Sequence, residues 1–119
     1  CSGNIVDVTV PLILDGKWHH IATTHNGTSL DIYFDGVKIN STPLTITAVG
    51  ANIGDNFTIG AYFTRTSNFL NSYVDEIGLF NTVLTGQQVQ SIYNATTTGK
   101  TADLSALSTS PVAWYRMGD

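Results

Sequence analysis

Apolar and polar positions alternate most clearly in the first third of the chain, where two glycine-containing pairs interrupt the pattern. A two-residue period is typical of β-strands, so residues 18–24 and 30–34 predict two strands and the alternation from residue 37 onward predicts a third. The pairs Asn26-Gly27 and Asp35-Gly36 predict tight turns, because asparagine, aspartate and glycine tolerate the positive φ angles that such turns need. This stretch therefore predicts an antiparallel three-stranded sheet.

The rest of the chain continues in short segments of the same period. Further strands are predicted over residues 5–10, 44–47, 57–63, 73–80 and 112–117. One short helix is predicted to start at Thr85, which forms a capping box with Gln88, and residues 101–107 predict one weak helical turn or two. Many short strands with frequent turns and little helix indicate an all-β sandwich or barrel.

Length and charge narrow the possible classes of protein. A chain of 119 residues predicts one domain with one core, and its net charge of −4 with scattered Lys and Arg excludes a nucleic-acid-binding patch. No apolar run approaches the roughly 20 residues that span a membrane, so we expect no membrane insertion. Only 12% of residues are charged, and 17 are threonine. A surface of Thr, Ser and Asn is typical of β proteins that work outside cells or in a virion.

Several pieces of the sequence occur in a characteristic order over about residues 5 to 95. They are W-H-H-I-A, then N-G, then L-x-I-Y-F-D-G, then V-D-E-I-G-L-F-N, then L-T-x-x-x-V. This ordered set resembles laminin-G-like and pentraxin-like domains. The resemblance implies the concanavalin-A-like jelly roll, an antiparallel two-sheet sandwich. The phrase S-P-V-A-W-Y-R-M-G-D also resembles repeated modules in structural proteins of marine bacteriophages.

The resemblance also implies how the chain is divided. In the family, a strand like residues 112–119 opens the module, whereas here it closes the chain. We therefore expect residues 1–95 to be the C-terminal part of one module, residues 96–110 a linker, and residues 111–119 the first strand of a following module. The last strand could fill the sheet edge beside residues 73–80 within one chain or by strand exchange between chains, and we expect an intermolecular or module-to-module sheet. We accordingly expect that the isolated chain is not a stable monomer.

The enzyme class to consider is a glycosidase, because the same jelly roll hosts polysaccharide hydrolases. Such enzymes need two carboxylates on either side of the scissile bond. The chain contains a single glutamate, Glu76, and the neighbouring Asp75 is predicted to face the other side of the sheet. The E-x-D-x-x-E pattern of laminarinase-like enzymes is absent. These observations favour a protein that is not an enzyme.

Sugar binding would need exposed aromatic side chains with polar neighbours. Tyr62 and Phe69 flank a polar loop, so we take them, with Arg65 and Asn68, as candidate ligand-binding residues. Three other aromatic residues are expected in the core, namely Trp18, Tyr33 and Tyr73. The sequence favours an adhesion module that binds a glycan or glycoprotein surface. The alternative is a structural module of a virion or cell-surface assembly, in tandem or as a homo-oligomer, whose partners are copies of itself.

Metal binding has two possible bases in the sequence. Adjacent strand residues point to opposite faces, so His19 and His20 are not expected to share a zinc ion. In related jelly-roll hydrolases, the aspartate of a V-D-x-V-like strand ligates a structural Ca²⁺, and the resemblance places Asp75 at that position. Asp119 approaches Asp75 if the last strand docks alongside, and a Ca²⁺ ion would then need further oxygen ligands. The competing interpretation is that Asp75 only accepts hydrogen bonds.

Overall fold

The computed structural model describes residues 15–45, 58–61, 66–67, 69–95 and 102–117 of the chain. Within these ranges it contains five strands, one α-helix and one turn of 3-10 helix. In chain order they are β1 (Ile21–His25), β2 (Ser29–Phe34), β3 (Val37–Pro43), β4 (Ile77–Leu79), α1 (Gly86–Ala95), the 3-10 turn (Leu104–Ala106) and β5 (Ala113–Tyr115). Two antiparallel sheets with one helix confirm the predicted all-β class.

The first sheet has the order β1-β2-β3, as the alternation predicts. In its register, Phe34 lies opposite Ile21 on one side and opposite Val37 on the other. The strand β1 starts at Ile21 and not at residue 18, because the His20 amide donates to the side chain of Asp35. A bulge between β2 and β3 shifts the register at Ile32/Tyr33.

The two turns of this sheet differ in their backbone. In the β2–β3 turn, Asp35 has φ 49° and Gly36 has φ 79°, which confirms the predicted tight turn. In the β1–β2 turn only Gly27 has a positive φ, 97°, so the prediction that Asn26 shares this conformation is wrong. The Asn26 side chain instead accepts hydrogen bonds from the amides of Thr28 and Ser29, which closes the turn through a side-chain acceptor.

The second sheet joins β4 and β5, which lie far apart in the sequence. Gly78 pairs with Trp114, and Ile77 pairs with Tyr115. The predicted strand over residues 73–80 is wrong in its length, because Glu76 has φ 52°, a left-handed conformation that ends a strand. The expected position of the last strand is confirmed, but the pairing lies within one chain. The division into residues 1–95, 96–110 and 111–119, and the oligomeric state, stay predictions.

The described core lies between the first sheet, the helix and the second sheet. The helix α1 begins with the predicted capping box, in which the Gln88 amide donates to the Thr85 hydroxyl and the Thr85 amide donates to the Gln88 side chain. Burial of one such apolar side chain stabilises the fold by roughly 1.5–3 kcal/mol. The buried core residues are Tyr33, Leu84, Val89, Ile92, Ala102 and Leu104.

Several predicted elements fall wholly or partly outside the described residues. The strand at residues 5–10 lies outside them, as do residues 46–47 of the strand at 44–47 and residues 57 and 62–63 of the strand at 57–63. The described part of the latter, residues 58–61, contains a bend at Gly60 and no strand. In the described ranges, no helix has the length and apolar composition that crossing a membrane requires.

Candidate functional site

The first sheet presents two different faces, and they define the surfaces that the chain offers. We call the side that packs on α1 the helix face; it carries His20, Ala22 and Tyr33, and the His20 ring lies 6.3 Å from the ring of Tyr93. We call the opposite side the open face; it carries His19, Ile21, Leu30, Ile32, Phe34 and Val37. Ile21 is 54% exposed and Val37 is 61% exposed.

On the open face, His19 lies between two carboxylates. Its Nδ1 atom is 2.8 Å from Oδ2 of Asp35, and its Nε2 atom is 2.9 Å from Oδ1 of Asp15. The imidazole stacks on the ring of Phe34, with 4.9 Å between the ring centroids. The same Asp35 side chain accepts the His20 amide at 2.9 Å. One aspartate therefore fixes the imidazole and the start of β1 together.

The two neighbouring histidines have opposite pKa shifts. Hydrogen bonds to Asp35 and then to Asp15 raise the pKa of His19 above its ordinary value. Burial lowers the pKa of His20, because desolvation disfavours the charged ring. Hydrogen bonds from His19 and from the Lys17 amide lower the pKa of Asp15. His19 stacks on Phe34 and His20 lies near Tyr93, so the two rings lie on opposite faces, as the sequence predicts.

A polar cleft of about 230 Å³ opens between the first sheet and residues 83–86. Inside it, the Lys38 ammonium donates to Asp31 at 2.9 Å, and the Ser41 hydroxyl donates to the same carboxylate at 2.6 Å. These two hydrogen bonds, with that of Ser41 the larger cause, lower the pKa of Asp31. Sequence reasoning missed this cleft, although the alternation of Asp31 and Tyr33 on one face was a usable signal.

A second candidate surface is formed by residues 58–61 and 69–73, which we call the aromatic surface. Leu70 joins the two segments, because its amide donates to the Gly60 carbonyl at 2.7 Å. Phe69 is 67% exposed and Tyr73 is 88% exposed. Ile59 and Leu70 are exposed as well. Unpaired aromatic side chains of this kind mark an interaction surface more often than scattered single apolar residues do.

The candidate residues from the sequence have different outcomes. Phe69 lies on the aromatic surface, whereas Tyr62, Arg65 and Asn68 lie outside the described residues. Three aromatic residues were expected in the core, and this is right for Tyr33 but wrong for Trp18 and Tyr73, which are exposed. The physical reason is that Trp18 precedes β1 and Tyr73 precedes β4. Pairing with a neighbouring strand therefore does not direct these two side chains into the core.

The predicted calcium ligand Asp75 lies where β4 meets the end of β5. Its Oδ1 atom accepts the amides of Glu76, at 2.9 Å, and of Met117, at 3.1 Å. Asp119 lies outside the described residues, and the described ranges contain no group of three side chains that could hold a metal ion. In the described residues Asp75 acts as a hydrogen-bond acceptor, and calcium binding stays a prediction.

The only glutamate of the chain is held by β5. The Trp114 indole N–H donates to Oε2 of Glu76, and the Arg116 guanidinium lies 3.7 Å from Oε1 of the same side chain. The guanidinium also lies over the Trp114 ring, 4.9 Å from its centroid. These contacts tie Glu76 into the junction between the two strands.

Comparison with known proteins identifies the family. A protein-family model that describes the concanavalin A-like lectin/glucanases superfamily matches residues 2–90 of the chain. The chain belongs to this superfamily. The resemblance to laminin-G-like domains is thereby confirmed. A search of curated proteins gives no match.

One solved structure also shares the fold of this superfamily member. It is a domain, residues 221–444, of an S-layer domain-containing protein from Clostridium thermocellum. The TM-score is 0.51 at 19% sequence identity, and the match covers 71% of this chain. The chain spans 43% of the length of that structure. At 19% identity this similarity shows a shared fold and carries no information about function.

Proposed function

We propose that the chain is part of a non-catalytic module, outside the cell or on a virion surface, that binds a glycan or glycoprotein. The observation that supports this most directly is the exposure of Phe69 and Tyr73 on the aromatic surface. Stacking of the apolar face of a sugar on an exposed aromatic ring stabilises the complex. Neighbouring polar groups then orient the sugar hydroxyls. Tyr62, Arg65 and Asn68, which adjoin these segments in the sequence, are proposed as further ligand-binding residues.

The absence of catalysis is part of this proposal. Glycoside hydrolysis needs two carboxylates that face one bond, with one of them able to protonate the leaving group. Glu76 is tied to Trp114 and Arg116, and the adjacent Asp75 accepts two backbone amides. The described residues therefore support binding more than hydrolysis. Release of reducing sugar from laminarin or a similar glucan by the purified chain would contradict this part of the proposal.

A glycan array with the purified 119-residue chain tests the binding. We expect specific binding that Phe69→Ala or Tyr73→Ala weakens at least tenfold, which corresponds to about 1.4 kcal/mol. Tyr115→Ala is the matched control, because Tyr115 is an exposed aromatic residue of β5 outside the aromatic surface. Lys38→Gln tests the polar cleft in the same series. Loss of binding in Lys38→Gln alone would move the ligand from the aromatic surface to the cleft.

A second candidate function is assembly with copies of the same chain. It is favoured by the open face, where Ile21 and Val37 remain exposed on both sides of Phe34. The fold shared with an S-layer domain-containing protein is compatible with this role. Light scattering after gel filtration tests it. An oligomer that Val37→Glu dissociates, in a chain without glycan binding, would favour assembly over adhesion.

We also propose that a structural Ca²⁺ ion binds between Asp75 and Asp119 if residue 119 reaches the end of β4. Calcium prefers several oxygen ligands, so backbone carbonyls and water would complete the site. The measurement is the melting temperature with calcium and with chelator, compared between the natural chain and Asp119→Asn. A melting temperature that chelator leaves unchanged in the natural chain would exclude the ion.

A further inference from the structure

The cluster of Asp15, His19 and Asp35 is not part of the proposed binding surface. Its imidazole lies between the two carboxylates, with Nδ1 toward Asp35 and Nε2 toward Asp15. The two ring nitrogens point to opposite sides of the ring, so the carboxylates do not converge on one ion. The cluster is therefore suited to hold a proton on the imidazole ring, between the two carboxylates, and not a metal ion.

The cluster links two segments that are separate in the sequence. Asp15 lies in the segment that leads into β1, where it accepts the Lys17 amide at 2.9 Å and the Lys17 ammonium lies 4.0 Å away. Asp35 lies in the β2–β3 turn, and its side chain and backbone both bond to His20. These are the charged and titratable groups that face His19 in the described residues.

We propose that Asp15, His19 and Asp35 form a proton-operated latch, which holds residues 15–17 against His19 and the β2–β3 turn while His19 is protonated. The protonated ring donates one N–H to each carboxylate. When the proton leaves to solvent, the neutral ring keeps one N–H, and a nitrogen lone pair then faces the other carboxylate. That contact becomes repulsive, so one arm of the latch opens.

The arm that opens is the one on Asp15. Asp35 is held by the His20 amide as well as by His19, and it makes the larger contribution to the raised pKa of His19. The neutral ring should therefore keep its N–H on Nδ1, directed at Asp35. Among the described residues, Asp15 would then keep its contacts with Lys17, and residues 15–17 would separate from His19 and the turn.

The direction of the pH dependence follows from the pKa shifts. The pKa of His19 is raised in the folded chain, so the latch contributes its full stability below the ordinary value of 6.5. That contribution is lost as the pH rises through the higher folded pKa. The lowered pKa of Asp15 keeps its carboxylate ionised when the pH falls moderately. The latch is thus closed in mildly acidic solution and opens on the alkaline side.

Nuclear magnetic resonance of the 119-residue chain tests the latch. The His19 ring should titrate above 6.5, and its neutral form should be the Nδ1–H tautomer. The nuclear Overhauser contact between the Asp15 side chain and the His19 ring should weaken with the same titration, whereas the contact of that ring with Phe34 should persist. Above the His19 pKa, the protonated fraction falls roughly tenfold for each pH unit, and the Asp15 contact should weaken with it.

Two conservative variants separate the latch from general stability. Asp15→Asn keeps an acceptor for the Lys17 amide but removes the charge, so it should lower the pKa of His19. Asp31→Asn on the helix face is the matched control and should leave the His19 titration unchanged. A His19 pKa at or below the ordinary value, an unchanged pKa in Asp15→Asn, or an Asp15–His19 contact that does not change with the His19 titration would each overturn the proposal.

Discussion

The helix face and the open face belong to the same three strands, yet they differ in how their side chains are stabilised. On the helix face, Tyr33 is 4% exposed and packs on the helix, and burial lowers the pKa of His20. On the open face, Ile21 is more than half exposed, and two aspartates raise the pKa of His19. The pKa values of two adjacent histidines therefore shift in opposite directions, because each ring lies on a different face.

This difference shows what an amphipathic strand specifies. A period of two decides which side chains share a face, but the material that packs on that face decides their energetics. The helix face buries Tyr33 against α1 and carries the Asp31–Lys38 ion pair. The open face buries Phe34 under His19 and carries a charged cluster beside exposed aliphatic side chains. The following predictions test this division, in order of decreasing effect.

The largest difference in the free energy of unfolding is expected between two isoleucine-to-alanine substitutions, one in the core beneath α1 and one on the open face. Ile92→Ala removes a buried side chain of α1 from the core and should destabilise the fold by about 2–5 kcal/mol. Ile21→Ala removes a side chain that is largely exposed on the open face and should cost about 0.5 kcal/mol or less. Urea unfolding of both variants measures the two free energies. Equal losses would show that the open face is packed in solution.

Overpacking of the core should have the next largest effect. A Cβ atom at Gly78 would lie 2.8 Å from Cδ1 of Leu104 and 3.3 Å from the Phe80 ring. Gly78→Ala should therefore destabilise the fold by about 1–3 kcal/mol. Gly86→Ala is the control, because its Cβ would meet Tyr33 at an ordinary 3.7 Å. Thermal unfolding compares them, and a neutral Gly78→Ala would show that the core has spare room.

The helix that covers the helix face depends on its cap. Thr85→Ala removes the hydroxyl that accepts the Gln88 amide, and should cost about 1 kcal/mol. Thr85→Ser keeps the acceptor and should be close to neutral. Helical circular dichroism during chemical unfolding reports the loss. Equal stability of the two variants would mean that packing alone holds the first turn of α1.

The smallest effect concerns pH, and its sign differs between the two faces. Because the pKa of His19 is raised, its contribution to stability is lost as the pH rises through the folded value. Because the pKa of His20 is lowered, folding keeps this ring neutral, and stability is lost as the pH falls below 6.5. Removal of each ring, in His19→Gln and His20→Gln, should therefore tilt the profile of melting temperature against pH in opposite directions. Parallel profiles would contradict the assignment.

Local signals in the sequence predicted the elements that depend on local chemistry. The Asp35-Gly36 turn, the Thr85 cap and the three-stranded sheet follow from residue type and spacing, and each is present. The start of β4 at Ile77 could not be predicted, because the left-handed Glu76 before it bonds through its side chain to Trp114, which is distant in sequence. Exposure of Tyr73 likewise depends on where β4 begins.

The candidate site was less predictable than the fold for a related reason. Phe69 was predicted as a candidate because it flanks a polar loop, and its side chain is exposed. The polar cleft requires the hairpin register that brings Asp31 and Lys38 together. The His19 cluster likewise requires the turn at Asp35 to fold back on the segment that holds Asp15. Contacts of this kind depend on tertiary geometry and have no period in the sequence.

The pairing of β4 with β5 has a mechanical consequence. The chain arrives at β4 through Glu76 and leaves β5 through Arg116, and these two positions lie at the same end of the ladder. Tension applied across this junction would load the hydrogen bonds one after another, as in opening a zipper, and not all together as in shear. The bonds of Asp75 to Met117 and of Glu76 to Trp114 lie at the end that opens first. The side chains there set the force at which the junction begins to open.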